Sequence, residues 1–184
     1  MIIDKGHTRI AVMNGLKTSE PAAMRFSGFM RALKDAGITI PESYIATGNW
    51  KFEDARDAAR KMLQDNKENE SQSRPTAIVA MNDEMAVGVY YAAEELGLRI
   101  PEDLSVTGFD HADVAKYIYP QLTTAERPLQ EMGYRALEML IENISGENVC
   151  LNNAIYPCKV IIGASVCDLS KQTKSTRKCD GKQK

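Results

Sequence analysis

Four times along the first two thirds of the chain, a short apolar run ends in a polar or aromatic pair and gives way to a segment of helical periodicity. The runs are Arg9 to Met13, Tyr44 to Thr47, Thr76 to Met81 and Ser105 to Phe109. Repeated β-α units of this kind build an open parallel sheet with helices on its faces. Ligands on such sheets sit outside the carboxyl ends of the strands. Here those ends are Asn14-Gly15, Asn49-Trp50, Asn82-Asp83 and Asp110-His111. Amide, carboxylate and indole groups gathered on one rim suit a polyhydroxylated small molecule. The pattern therefore predicts an α/β binding module more than an enzyme.

The helical segments have recognisable ends. A first helix is predicted from Glu20 to Ala36, with Ser19 as cap, Pro21 in the first turn and Gly37 as the stop. Ala22, Phe26, Phe29, Leu33 and Ala36 share its apolar face. A second helix, Glu53 to Gln64, leads into the polar loop Asp65 to Arg74. Asn82 or Asp83 caps a third that ends at Gly97, and a short helix is expected from His111 to Tyr117. Beyond Pro120, Leu122 to Ala125 is extended, and Pro128 opens a long helix that Gly146 terminates. Leu129, Met132, Ala136, Leu140 and Ile144 form its stripe. A last strand is expected at Val160 to Ala164, and from Asp168 a basic tail reads as solvated and disordered.

Charge and composition narrow the function class. A formal net charge of −2 over 184 residues gives no global electrostatic basis for nucleic-acid binding. No apolar stretch is long enough to cross a bilayer, and the amino terminus has no signal-peptide pattern, so the expected location is the cytoplasm. Cys150, Cys158, Cys167 and Cys179 fit no tight metal or redox spacing and read as ordinary thiols. With only His7 and His111 in the chain, and no nucleophile-base pair on the rim, neither catalysis nor a cofactor is expected. His7 is read as a local packing or capping group, and Asp83 as structural.

The third helix is apolar on two sides. Met85, Val89, Ala92, Ala93 and Leu96 share one face, while Val87, Tyr90 and Tyr91 lie roughly opposite. One face fits the sheet. The other fits a second subunit.

Several ordered blocks carry a family resemblance. They are Gly6-His7-Thr8-Arg9-Ile10-Ala11, Arg25-Phe26-Ser27-Gly28-Phe29, Arg74-Pro75-Thr76-Ala77-Ile78 and Asn82-Asp83-Glu84-Met85-Ala86-Val87-Gly88. The strongest is Gly97-Leu98-Arg99-Ile100-Pro101-Glu102-Asp103-Leu104-Ser105-Val106-Thr107-Gly108-Phe109-Asp110, followed by Pro120-Gln121-Leu122-Thr123-Thr124. Together they resemble the effector-binding core of LacI-family transcriptional regulators over residues 1 to 166. The resemblance implies one lobe of a type I periplasmic-binding-protein-like fold. It assigns 1–122 to the carboxyl-terminal lobe, 123–149 to the crossover and a long helix that packs on the other lobe, and 150–167 to a return strand. Residues 168–184 are left as the tail. The helix-turn-helix headpiece and most of the amino-terminal lobe precede Gly6 in the family, so the chain reads as truncated at its amino terminus.

The resemblance also implies function. The expected partner is a small-molecule effector, a sugar or sugar derivative, contacted by Arg25, Trp50, Asn82, Asp110 and Arg127. A homodimer is expected through Val87, Tyr90, Tyr91 and Tyr117, with DNA bound only through the headpiece. Alternatives are a fragment of a sugar-binding transport protein or a dimerisation remnant that binds no ligand. Two departures stand out: Gly163-Ala164 where the family often has an arginine, and His111 where a second acid is common. Pro21 offers no donor near a position where purine-responsive relatives would need one, which favours a sugar.

Overall fold

The computed structural model of the 184-residue chain describes residues 1–64, 74–145 and 154–171. Its central sheet is parallel, in the order β2 (Ile45–Thr47), β1 (Ile10–Asn14), β3 (Ala77–Ala80), β4 (Ser105–Thr107). Side chains alternate between the faces of a strand, and β3 shows the consequence. Ala77 and Val79 join Ile10, Leu33, Phe29 and Ile38 on the face covered by α1 (Glu20–Asp35). Ile78 and Ala80 face the larger core, with Ala55, Ala59 and Leu63 of α2 (Phe52–Leu63) and Met85, Val89 and Ala93 of α3 (Asp83–Glu95). Helices thus cover both faces, as the apolar runs predict.

Helix ends follow their sequence signals with local differences. Ser19 occupies the cap position of α1 in an extended conformation but makes no side-chain capping bond. Ala36, expected on the apolar face, is the exposed C-cap. Asn82 does cap α3, its Oδ1 accepting from Met85 N at 2.8 Å. The short helix, α4 (Asp113–Tyr117), starts two residues later than expected, because Asp110 and His111 hold φ of 111° and 54°, outside the helical range. Tyr90 departs from its expected outward position. It is only 7% exposed, and its hydroxyl donates to Pro120 O at 2.8 Å, so it belongs to the core and leaves Val87, Tyr91 and Tyr117 toward solvent.

After α4 the chain runs along the outer edge of β4. Thr123 O and Ala125 O accept from Gly108 N and Asp110 N at 2.9 and 2.8 Å. β5 (Thr124–Glu126) pairs antiparallel with β6 (Lys159–Ile161), which is shorter than expected because the chain then turns to the sheet edge at Ser165. Ser165 Oγ donates to Val106 O at 2.6 Å and accepts from Thr123 N at 2.8 Å. His7, almost fully buried, joins the base of the sheet through Thr76 Oγ1 at 2.9 Å and Cys167 O at 3.1 Å. Burial lowers its pKa, so it is a neutral packing group. The predicted tail begins ordered, with Leu169 N donating to Lys5 O at 2.8 Å. Cys158 is exposed and Cys167 half-buried, while Cys150, Cys179, Gly146 and the rest of the tail lie outside the described residues.

α5 (Leu129–Ile144) differs from the other long helices. None of its residues is buried, and Leu129, Met132, Leu137, Leu140, Ile141 and Ile144 all stand exposed. An apolar stripe of this size facing solvent marks an interaction surface. Among the described residues, no helix is long and apolar enough to cross a membrane.

Candidate functional site

In this strand order the topological switch falls between β1 and β3, whose carboxyl ends are Asn14-Gly15 and Met81-Asn82. The indole of Trp50 lies directly over Gly15: a Cβ there would stand 2.1 Å from the ring. Only glycine permits that approach, so a half-buried loop tryptophan is held over the switch point. Asn82 helps to fix it, with Nδ2 donating to Trp50 O at 3.3 Å.

The backbone around this rim is held in a sparsely populated conformation. Among the described residues, Asn49, Trp50, Asp110 and His111 are the non-glycine positions with positive φ. They are two of the four strand-end pairs singled out from the sequence. Such conformations persist where the surrounding contacts over-determine them, and they cluster at functional sites.

Arg25 projects from α1 into this rim. Its Nη1 donates to Met81 O, and its Nη2 lies 3.4 Å from Asp110 Oδ1. The guanidinium sits 3.9 Å from the centroid of Phe109 and 5.4 Å from that of Trp50, so aromatic faces flank the cation. Burial lowers the Arg25 pKa, Asp110 raises it, and Arg127 lowers it again. Arg127, just after β5, brings Nε to 3.0 Å from the same Asp110 oxygen. The approach is off the hydrogen-bonding direction, and this buried N–H is left without a hydrogen-bond partner.

Asp83 supports the rim from below. Fully buried, it accepts from Thr124 Oγ1 at 2.6 Å and from Ala112 N at 2.7 Å, and burial raises its pKa. Gly108 is what lets it fit, since a Cβ there would meet Asp83 Oδ1 at 2.1 Å. Asp83 thus takes the structural place expected for it, and it, rather than Asp110, fixes the entry to α4 by accepting from Ala112 N. Asp110 is left facing the two arginines.

Arg25, Trp50, Asp110 and Arg127 therefore meet on one rim. Asn82 stands beside them with one amide edge committed to capping and to Trp50. Sequence reasoning missed Phe109, which ends the β4 apolar run and is the nearest aromatic to Arg25. It also missed the His111 Nδ1 contact with Glu126 Oε1 at 3.1 Å, made across non-adjacent segments with no sequence signal. A cleft of about 600 Å³ opens beside Asp110, lined by His111, Glu126, Arg127, Leu129 and Lys159 among others. That size matches small-molecule sites. Among the described residues, no group of three or more His, Cys, Asp or Glu could hold a metal ion.

Residues 1–166 match the periplasmic binding protein-like domain. The ribose operon repressor of Escherichia coli K12 is 40% identical over 144 residues, 78% of this chain and 42% of the repressor. The HTH-type transcriptional repressor PurR of Vibrio vulnificus is 41% identical over 143 residues, again 78% of this chain and 41% of that protein. The crystal structure of a LacI-family regulatory protein from Chloroflexus aggregans superimposes with a TM-score of 0.81 at 33% identity, covering 89% of this chain and 57% of that one. The chain thus spans about two fifths of the length of these curated relatives. With the parallel sheet, the strand-end rim and these matches in agreement, the chain belongs to the periplasmic-binding-protein-like domains of LacI-family transcriptional regulators.

Proposed function

We propose that this chain is the effector-sensing and dimerisation portion of a LacI-type DNA-binding transcriptional regulator, with a sugar or sugar derivative as effector. The observation that carries the reading is Arg25, held between Phe109 and Trp50 with Asp110 in reach. A planar fork of donors, a carboxylate acceptor and an indole face then meet beside the switch point. Sugar hydroxyls both donate and accept, and a sugar ring has an apolar face on which an indole stacks. Asn82 and Arg127 complete the contact set.

The two curated relatives pull in different directions, one named for ribose and the other for purines. Pro21, in the first turn of α1, has no N–H to give a purine, and this favours the sugar. Residues 1–122 act as the carboxyl-terminal lobe, 123–149 as the crossover and long helix, and 150–167 as the return strand. Val87, Tyr91 and Tyr117 form the dimer surface. In the complete regulator, effector closes two lobes and repositions paired headpieces on the operator, so effector and operator affinities are linked. A single lobe supplies part of the contacts around a buried ligand, and millimolar affinity is expected of it.

Calorimetric titration of the chain with ribose, glucose, hypoxanthine and guanosine tests the effector class. Saturable heat with a sugar and none with the purines is the expected result. Binding of a purine alone would overturn the sugar assignment.

A further inference from the structure

We infer that Phe109 is a positioning residue of the effector site, its ring holding the Arg25 guanidinium in the place where it meets ligand. The inference rests on the effector-site reading above and adds to it a side chain that acts through Arg25.

Strand alternation sends Phe109 to the α1 side of the sheet. Side chains along β4 and its extended continuation point to opposite faces in turn. Val106 belongs to the core built with α2 and α3, and a Cβ on Gly108 would meet Asp83 of α3 and Leu122. Phe109, the next residue, turns the other way, where Arg25 arrives from α1. A large aromatic normally packs into a core. This one is half-buried, and among the described residues it joins neither apolar cluster. What its face covers is a cation: the guanidinium carbon of Arg25 stands 3.9 Å from the Phe109 centroid, against 5.4 Å from that of Trp50.

The polar contacts of Arg25 do not fix it by themselves. Asp110 lies 3.4 Å away, beyond the usual hydrogen-bond range, and offers the same oxygen to Arg127. The hydrogen bond to Met81 O ties a long, rotamer-rich side chain at one nitrogen. The side chain is also only 19% exposed, and burying a cation is costly unless something answers the charge. An aromatic face answers it by quadrupole attraction, which strengthens as water is excluded. Stacking takes the face of a guanidinium and leaves its in-plane N–H groups for acceptors, the geometry in which a fork of donors reads hydroxyls. Leucine at position 109 supplies apolar bulk without a π face.

The test compares wild type with Phe109→Leu and Phe109→Tyr, each shown folded by its far-UV spectrum. Binding of ribose and glucose is followed by Trp50 fluorescence, and the Arg25 Nε–H resonance is followed by NMR in the ligand-free chain. Ring current from Phe109 is expected to hold that resonance upfield in wild type and Phe109→Tyr, and Phe109→Leu is expected to release it. Sugar affinity is expected to fall roughly fivefold in Phe109→Leu and to be kept in Phe109→Tyr. Equal affinity in wild type and Phe109→Leu, an equal loss in both variants, or an Arg25 resonance indifferent to the ring would overturn the inference and leave the effector site standing. No saturable response to either sugar in the folded wild type overturns the effector-site reading, and the inference with it.

Discussion

Asp83 carries a prediction that separates support from ligand contact. Its two acceptor bonds hold Thr124 and Ala112, so Asp83→Ala orphans two donors and is expected to cost about 2–4 kcal/mol in urea unfolding. Burial holds the Asp83 pKa above the ordinary carboxylate value. A raised folded-state pKa means that this group's stabilisation is complete below its unfolded pKa and lost as pH rises through the folded one. Stability of Asp83→Asn is therefore expected to fall less than that of wild type as pH rises above about 4, and an identical pH profile would refute the assignment. At this scale the sequence was partly legible. Trp50 and Asp110 come near each other because strand ends on a parallel sheet converge, whereas Arg25 reaches that rim from α1. Tyr90 was misplaced because a helical wheel separates faces by angle alone, whereas a tyrosine reaches far enough to place its hydroxyl on Pro120 O. Burial pushes that phenol up to about 12.

At the scale of elements, α5 invites the clearest experiment. Its apolar residues stand exposed along the whole helix, so Leu140→Glu with Ile144→Lys removes little buried area and is expected to cost less than about 1 kcal/mol. The same pair should reduce binding of a hydrophobic dye and self-association of the chain. A large loss of stability instead would mean that α5 packs internally. The β-α alternation was readable because apolar run length and helical periodicity are local properties. The antiparallel β5–β6 pair was not, since its register is set by Ser165 bridging Val106 and Thr123 across distant segments. The late start of α4 was hidden for a related reason: the backbone of Asp110 and His111 is dictated by bonds to β5.

At the scale of the whole molecule, two surfaces have separate expected roles. Tyr91 packs edge-on against Phe52, 5.1 Å between centroids, and with the 82%-exposed Tyr117 it belongs to the proposed dimer surface. Tyr117→Asp is expected to convert a dimer to a monomer by analytical ultracentrifugation with an unchanged unfolding midpoint at low concentration. Tyr90→Ala is expected to destabilise the fold itself by about 3–5 kcal/mol. Equal effects of the two on stability would contradict the division between core and interface. The central claim is that the rim around Arg25 binds effector, and Trp50, the only tryptophan, reports on it directly. The decisive measurement is its fluorescence as the purified chain is titrated with ribose and glucose, in wild type and Arg25→Ala. A saturable change with a sugar ligand that vanishes in the folded mutant is the predicted result. A saturable change that persists unaltered in Arg25→Ala, or no change with any sugar in a folded wild-type chain, would contradict it.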